Sequence, residues 1–262
     1  MRCSAPLRAG GFWKRSYDEV KRFGQIAWNL EALEVPTRPY PLITFSEPSS
    51  IGDCKSMSDK DIGGFSHAHL DFVPEGEGEG AHARFHGSIS TDVPANLPHV
   101  QRSGYAGWRT LDRKRTLFGK SLWDIDPYRY LAMTIRSDGR KYFVNVQTES
   151  IVPTDLHQHR LYPRKIGEWE TILIDWNDFV RTNHGMLVEP QKEMLRQRVK
   201  SVGISLTDGQ PGPFELSVSR IWASNGLDKE GGESAVLQEE EDSQGGGILR
   251  DYRAKTGSKK EG

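Results

Sequence analysis

His67, His69, His82 and His86 lie on two segments in which apolar and polar residues alternate. All four fall on the polar side of what reads as a β-hairpin, and four imidazoles so placed could ligate zinc. Arg84 lies between His82 and His86 on that same side, and its cation would repel a dication, so the quartet reads as a solvated face and no metal is expected. His157-x-His159 repeats the pattern with fewer ligands. Two carboxylates across a cleft would suggest glycoside hydrolysis, but Asp124 and Asp126 flank Ile125 before Pro127, and Asp138 and Asp208 each precede a glycine, where turn geometry accounts for them. No G-x-S-x-G elbow occurs, no phosphate loop occurs, and neither Cys3 nor Cys54 has a nucleophile's context. These residues support no catalysis.

What remains is binding. Tyr105, Trp108, Trp123, Tyr128, Tyr130 and Tyr142 cluster in the middle third of the chain. Alternation sets Tyr128 and Tyr130 opposite Leu131, Met133 and Ile135, on the less buried face, and Tyr and Trp on a sheet face suit sugar stacking or a protein hot spot. Arg109, Arg113, Lys114 and Arg115 form a basic patch after Trp108. Near the N-terminus, Ser16 and Glu19 make a capping box that predicts a helix from Tyr17 to Trp28. Tyr17, Val20, Gly24, Ala27 and Trp28 share one face of it, with Lys21 and Arg22 beside them. A basic amphipathic helix of this kind packs on the domain, docks a partner or lies on a membrane surface. The candidate partner-binding residues are therefore Tyr17, Lys21, Arg22, Trp28, Trp108, Arg109, Tyr128 and Tyr130.

The elements that must position them are strands. After a Pro-rich lead-in at Pro36, Pro39 and Pro41, the period changes to two from Leu42 onward. Strands are predicted at Phe65–Val73, Ala83–Ile89, Tyr105–Leu111, Tyr128–Ile135, Lys141–Gln147, His157–Tyr162, Trp169–Ile174, Val199–Leu206 and Phe214–Trp222, with Asp138-Gly139 as a turn. Short helices are predicted at Trp176–Val180 and Gln191–Arg198. About ten short strands indicate an all-β antiparallel jelly-roll sandwich with an N-terminal helix. The predicted organisation is a basic segment, helix and lead-in over 1–41, a sandwich over 42–225, and a disordered charged tail over 226–262, where few apolar residues remain to offset ordering entropy.

Bulk composition narrows the setting. With 35 basic and 36 acidic residues in 262, the formal charge is −1, so no global field selects nucleic acid. Two cysteines do not make a disulfide framework and fit a reducing compartment. No apolar run reaches the roughly 18 residues that span a bilayer. Arg2, Arg8, Lys14 and Arg15 precede the first acid, Asp18, a start suited to mitochondrial import.

A set of short motifs then occurs in order. It comprises Ser58-Asp59-Lys60-Asp61-Ile62-Gly63-Gly64-Phe65-Ser66, Phe85-His86-Gly87-Ser88-Ile89, Gly104-Tyr105-Ala106-Gly107-Trp108-Arg109, Asp138-Gly139-Arg140-Lys141-Tyr142, and Asp208-Gly209 with Gly212-Pro213-Phe214-Glu215-Leu216. Over roughly Thr44 to Ala223 the chain resembles the complex I intermediate-associated protein family. That resemblance implies a galactose-binding-like jelly roll in the mitochondrial matrix, peripheral to the inner membrane. It implies a non-enzymatic assembly chaperone, with membrane-arm subunits or intermediates of complex I and other assembly factors as partners, and with no catalytic residue or cofactor. The fold is shared with carbohydrate-binding modules, so a module using surface aromatics is the alternative reading.

Overall fold

A computed structural model describes residues 10–29, 36–76, 78–93, 103–117, 119–150 and 152–226, with some side chains of the N-terminal helix excepted. Cys3 and the predicted tail therefore lie outside the described residues. Helix α1 runs Gly10–Asn29. The strands are β1 (Tyr40–Thr44), β2 (Cys54–Ser58), β3 (His67–Val73), β4 (His82–Ile89), β5 (Ala106–Thr110), β6 (Tyr130–Ser137), β7 (Tyr142–Thr148), β8 (Asp155–Arg160), β9 (Trp169–Asp175), β10 (Val180–Asn183), β11 (Met186–Leu187), β12 (Val199–Leu206) and β13 (Gly212–Ser224). All nine predicted strands are present. The two predicted short helices reduce to single 3-10 turns at Trp176–Asp178 and Arg196–Arg198; Val180, the end of the first, belongs to β10 instead.

Two sheets form the sandwich. One has the order β3-β4-β13-β6-β9, with β1 also pairing β13; the other has the order β11-β10-β8-β7-β12-β5-β2. Period-two alternation decides what faces the interior. Phe85, Ile89, Leu131, Met133, Ile135, Leu216 and Val218 from the first sheet meet Trp108, Tyr142, Val144, Val146, Val202, Ile204 and Leu206 from the second in one apolar cluster. Phe45 meets Trp108 edge-on at 5.7 Å, and Phe85 meets Phe214 at 4.9 Å, an aromatic filling for the space between facing sheets.

The long strand β13 organises the first sheet. Gly212–Val218 pairs β4 on one side, and from Leu216 onward the strand pairs β6 on the other; the register then slips at Ser219, and Arg220–Ala223 exchanges β4 for β1. The slip is a β-bulge, and it moves the inward set from Phe214, Leu216 and Val218 to Ile221 and Ala223.

In the second sheet β12 lies very close to β5. A Cβ on Gly203 would stand 2.2 Å from the Trp108 carbonyl oxygen and 2.7 Å from Arg109 Cα. Gly203→Ala must therefore push two paired strands apart, and chemical denaturation should show a loss of at least about 2 kcal/mol.

Candidate interaction surface

The N-terminal helix begins at Gly10, six residues before the predicted cap. Ser16 is thus an interior helix residue, and its role is tertiary. It is buried, and its hydroxyl accepts a hydrogen bond from the Leu117 backbone N–H at 3.2 Å. That bond joins α1 to the loop after β5, 101 positions along the chain. On the helix Trp13, Tyr17 and Val20 recur at helical spacing and are 64%, 68% and 50% exposed. Lys14 and Lys21 are exposed beside them. On the loop Leu117 is exposed, as are Arg113, Lys114 and Arg115, and Arg113 lies over the Trp123 ring at 5.6 Å. Two features that were separate in the sequence, the amphipathic helix and the loop that carries the basic run, are therefore joined through Ser16 and Leu117.

The remaining candidates scatter. Arg22 and Trp28 belong to α1, but their side chains lie outside the described residues. Trp108 is 1% exposed in the core, so its expected place on a partner-binding surface is corrected. It faces inward with Ala106 and Thr110, whereas Arg109, its immediate neighbour, must point out. Arg109 donates to Asp112 at 3.1 Å and to the Thr110 carbonyl. Together with Lys200, it outweighs the effect of partial burial and keeps the Asp112 carboxyl below its usual range.

Tyr128 and Tyr130 were expected on one face of one strand, and they diverge. Tyr128 precedes β6 in a turn and stacks on Tyr40 at 6.0 Å, packed against the core. Tyr130 opens the strand with the Arg129 guanidinium 4.9 Å above its ring, and Arg129 in turn pairs with Asp175. Trp108, Tyr128 and Tyr130 consequently form no common stacking platform.

The histidines also separate. His67 and His69 are exposed, and His86 contacts Asp71 through Nε2 at 2.7 Å. This contact holds the Asp71 carboxyl below its ordinary range. His82 was expected in solvent but is 1% exposed, because Trp169 from β9 covers it edge-on at 5.0 Å. Among the described residues no group of three or more His, Cys, Asp or Glu could hold a metal ion. Burial pushes the half-buried Cys54 thiol up to about 12, so it stays protonated and unreactive at neutral pH. A groove of about 450 Å³ is lined by Trp176, Phe179, Val180, Met194, Lys192 and Arg196, and Arg196 already faces Asp126 at 3.5 Å.

The motif residues do structural work that periodicity could not reveal. Asp59 is 2% exposed, and its carboxylate accepts from the N–H and hydroxyl of Ser66 and from the N–H groups of Gly104 and Tyr105. This ties the β2–β3 crossover to the entry of β5. At the other motif pair, Arg140 grips Asp208 with two parallel hydrogen bonds of 2.9 and 2.7 Å and also donates to the Gly212 and Pro213 carbonyls. Asp138 accepts from the Tyr142 hydroxyl and the Glu215 N–H. Here the β6–β7 crossover is clamped to the β12–β13 crossover. Each clamp joins two places where the chain passes from one sheet to the other.

With this geometry established, comparison with known proteins is specific. The family described as "Complex I intermediate-associated protein 30 (CIA30)" matches residues 43–218. A Neurospora crassa protein named "Complex I intermediate-associated protein 30, mitochondrial" is 51% identical over 249 residues, covering 88% of this chain and 90% of that protein. A Drosophila melanogaster protein of the same name is 28% identical over 183 residues, covering 68% of this chain and 60% of its own length. Among solved structures, the family 11 carbohydrate-binding module of the Clostridium thermocellum cellulosomal cellulase Lic26A-Cel5E superposes with a TM-score of 0.51 at 15% identity. That alignment covers 74% of this chain and 99% of the module, a likeness of fold alone. The match over both clamps and the sheets between them makes this chain a member of the complex I intermediate-associated protein 30 family.

Proposed function

We propose that this chain is a non-catalytic assembly factor that holds intermediates of mitochondrial respiratory complex I, in the matrix and peripheral to the inner membrane. The observation that carries the reading is the 51% identity to a complex I intermediate-associated protein across 90% of that protein's length. The α1–Leu117 surface supplies the chemistry a holding factor needs. Exposed Trp13 and Tyr17 offer large contact area at low entropic cost, and exposed Lys14 and Lys21 on the helix and Arg113, Lys114 and Arg115 on the adjoining loop add cations. The partners are membrane-arm intermediates and companion assembly factors.

Affinity purification of the tagged chain from mitochondria tests this. Complex I subunits should co-purify, and deletion of the gene should deplete assembled complex I on native gels; a full complement of complex I in the deletion strain would end the reading. A double substitution, Tyr17→Ala with Lys21→Glu, removes two exposed side chains. It should weaken co-purification severalfold while thermal unfolding stays where it was, because surface changes of this kind fall within about 0.5 kcal/mol.

A further inference from the structure

The outer face of the first sheet holds charges that the proposed function does not use. Arg84 on β4, Ser217 on β13 and Arg136 on β6 stand side by side across three adjacent strands, Ser217 in register with both arginines. At about 4.8 Å between strands, the two arginines flank the serine with their backbones about 10 Å apart. All three side chains alternate with inward residues, Ala83 and Phe85, Leu216 and Val218, Ile135, so they point away from the core.

Two of the three carry a buried polar atom that meets no hydrogen-bond partner. Ser217 is 1% exposed and its hydroxyl meets no hydrogen-bond partner. The buried Nε of Arg84 likewise meets none. A buried hydroxyl or guanidinium nitrogen left unpaired costs free energy, and a native structure retains such groups where something else satisfies them. Asp71, the register partner of Arg84, is hydrogen-bonded to His86 and also feels the Arg84 charge. Arg136 is engaged by the Glu79 carboxylate and lies over the Trp169 ring at 5.3 Å. Glu79 comes from the acidic glycine-rich turn between β3 and β4, so the protein itself places a carboxylate against this face.

We infer that Arg84, Ser217 and Arg136 form an oxyanion site that accepts a phosphate group. The same Arg84 charge that argues against a cation among the neighbouring histidines favours an anion. Two guanidinia carried on the strands either side of Ser217 suit a tetrahedral ligand with several acceptor oxygens, and the Ser217 hydroxyl supplies a donor between them. Glu79 competes for Arg136, so it lowers the affinity of the site.

Isothermal titration of the full chain at fixed ionic strength tests the site, with inorganic phosphate and glycerol phosphate compared against chloride. Vesicles of phosphatidic acid, against phosphatidylcholine alone, separate a lipid headgroup from a small soluble ester. Saturable binding of any of these phosphates is expected. Arg84→Gln should weaken it at least tenfold and Glu79→Gln should tighten it severalfold. Ser217→Ala should weaken binding while leaving the unliganded melting temperature equal or higher, since it removes an unpaired buried hydroxyl. Arg84→Lys, which keeps the charge and loses the fork, replaces Arg84→Gln should that variant not fold. Binding that chloride reproduces, or that Arg84→Gln and Ser217→Ala leave intact, overturns the assignment.

Discussion

Asp59→Ala should lower the unfolding free energy by about 3–5 kcal/mol. The carboxylate sits at 2% exposure and satisfies donors from two chain segments, Ser66 with its N–H at 2.8 Å and Gly104 with its N–H at 2.6 Å. Truncation leaves these groups buried without an acceptor. It also unties the β2–β3 crossover from the segment leading into β5. Asn in place of Asp keeps one acceptor oxygen but turns an amide N–H₂ toward donors already there, so it should recover less than half of the loss. Urea denaturation followed by tryptophan fluorescence measures both, and an Asn variant as stable as the parent would refute the account. The neighbouring glycine belongs to the same device: a Cβ at Gly64 would lie 2.5 Å from Asp59 Cγ.

Breaking the second clamp should cost a similar amount. The Asp208 side chain is 1% exposed and that of Arg140 is 12% exposed, so Arg140→Ala leaves a buried carboxylate without its cation, with the Gln210 N–H still donating to it, and should destabilise the fold by about 3–5 kcal/mol. Arg140→Lys keeps the charge, loses the two-pronged grip, and should restore only part of that. A pH titration distinguishes loss of this pair from a general packing defect. Burial by itself would raise the Asp208 carboxyl, but the Arg140 hydrogen bonds and charge outweigh it and hold the group below the ordinary carboxylate range. A depressed folded value contributes stability that is fully present above the unfolded carboxylate range, near pH 4, and is lost as the pH falls through the folded value. Parent stability should therefore decline below about pH 4, and Arg140→Ala should flatten its share of that decline. An unchanged slope in the variant would remove the clamp from the explanation.

The sequence disclosed the layers of this protein more readily than its contacts. Ala83, Phe85 and Ile89 alternate so regularly with His82, Arg84 and His86 that β4 and its inward face follow from spacing alone. His82 nevertheless ends up buried, because Trp169, far along the chain, closes over it, and no local pattern encodes that. Trp108 illustrates a signal that was present and passed over: it alternates with Arg109, so the two cannot face one partner together. The β13 bulge is another, visible as inward apolar positions moving from Leu216 and Val218 to Ile221 and Ala223. The capping box at Ser16 and Glu19 misleads for a physical reason. Its serine serves the Leu117 amide 101 residues away, and the helix extends through it. For the interaction surface, the aromatic and basic residues of α1 were legible, whereas the link from the helix to the loop that carries Arg113–Arg115 is tertiary.

The position of β13 has a consequence for how the protein is made. It is the last strand among the described residues, yet it lies between β4 and β6 in its sheet, and it also supplies the partner of β1, the first of them. Until residues 212–224 are available, three earlier strands lack the neighbour they are built to pair with. Closing such distant contacts is entropically slow. A chain delivered from its N-terminus onward therefore stays incompletely folded, with sheet edges open, until nearly the whole domain has emerged.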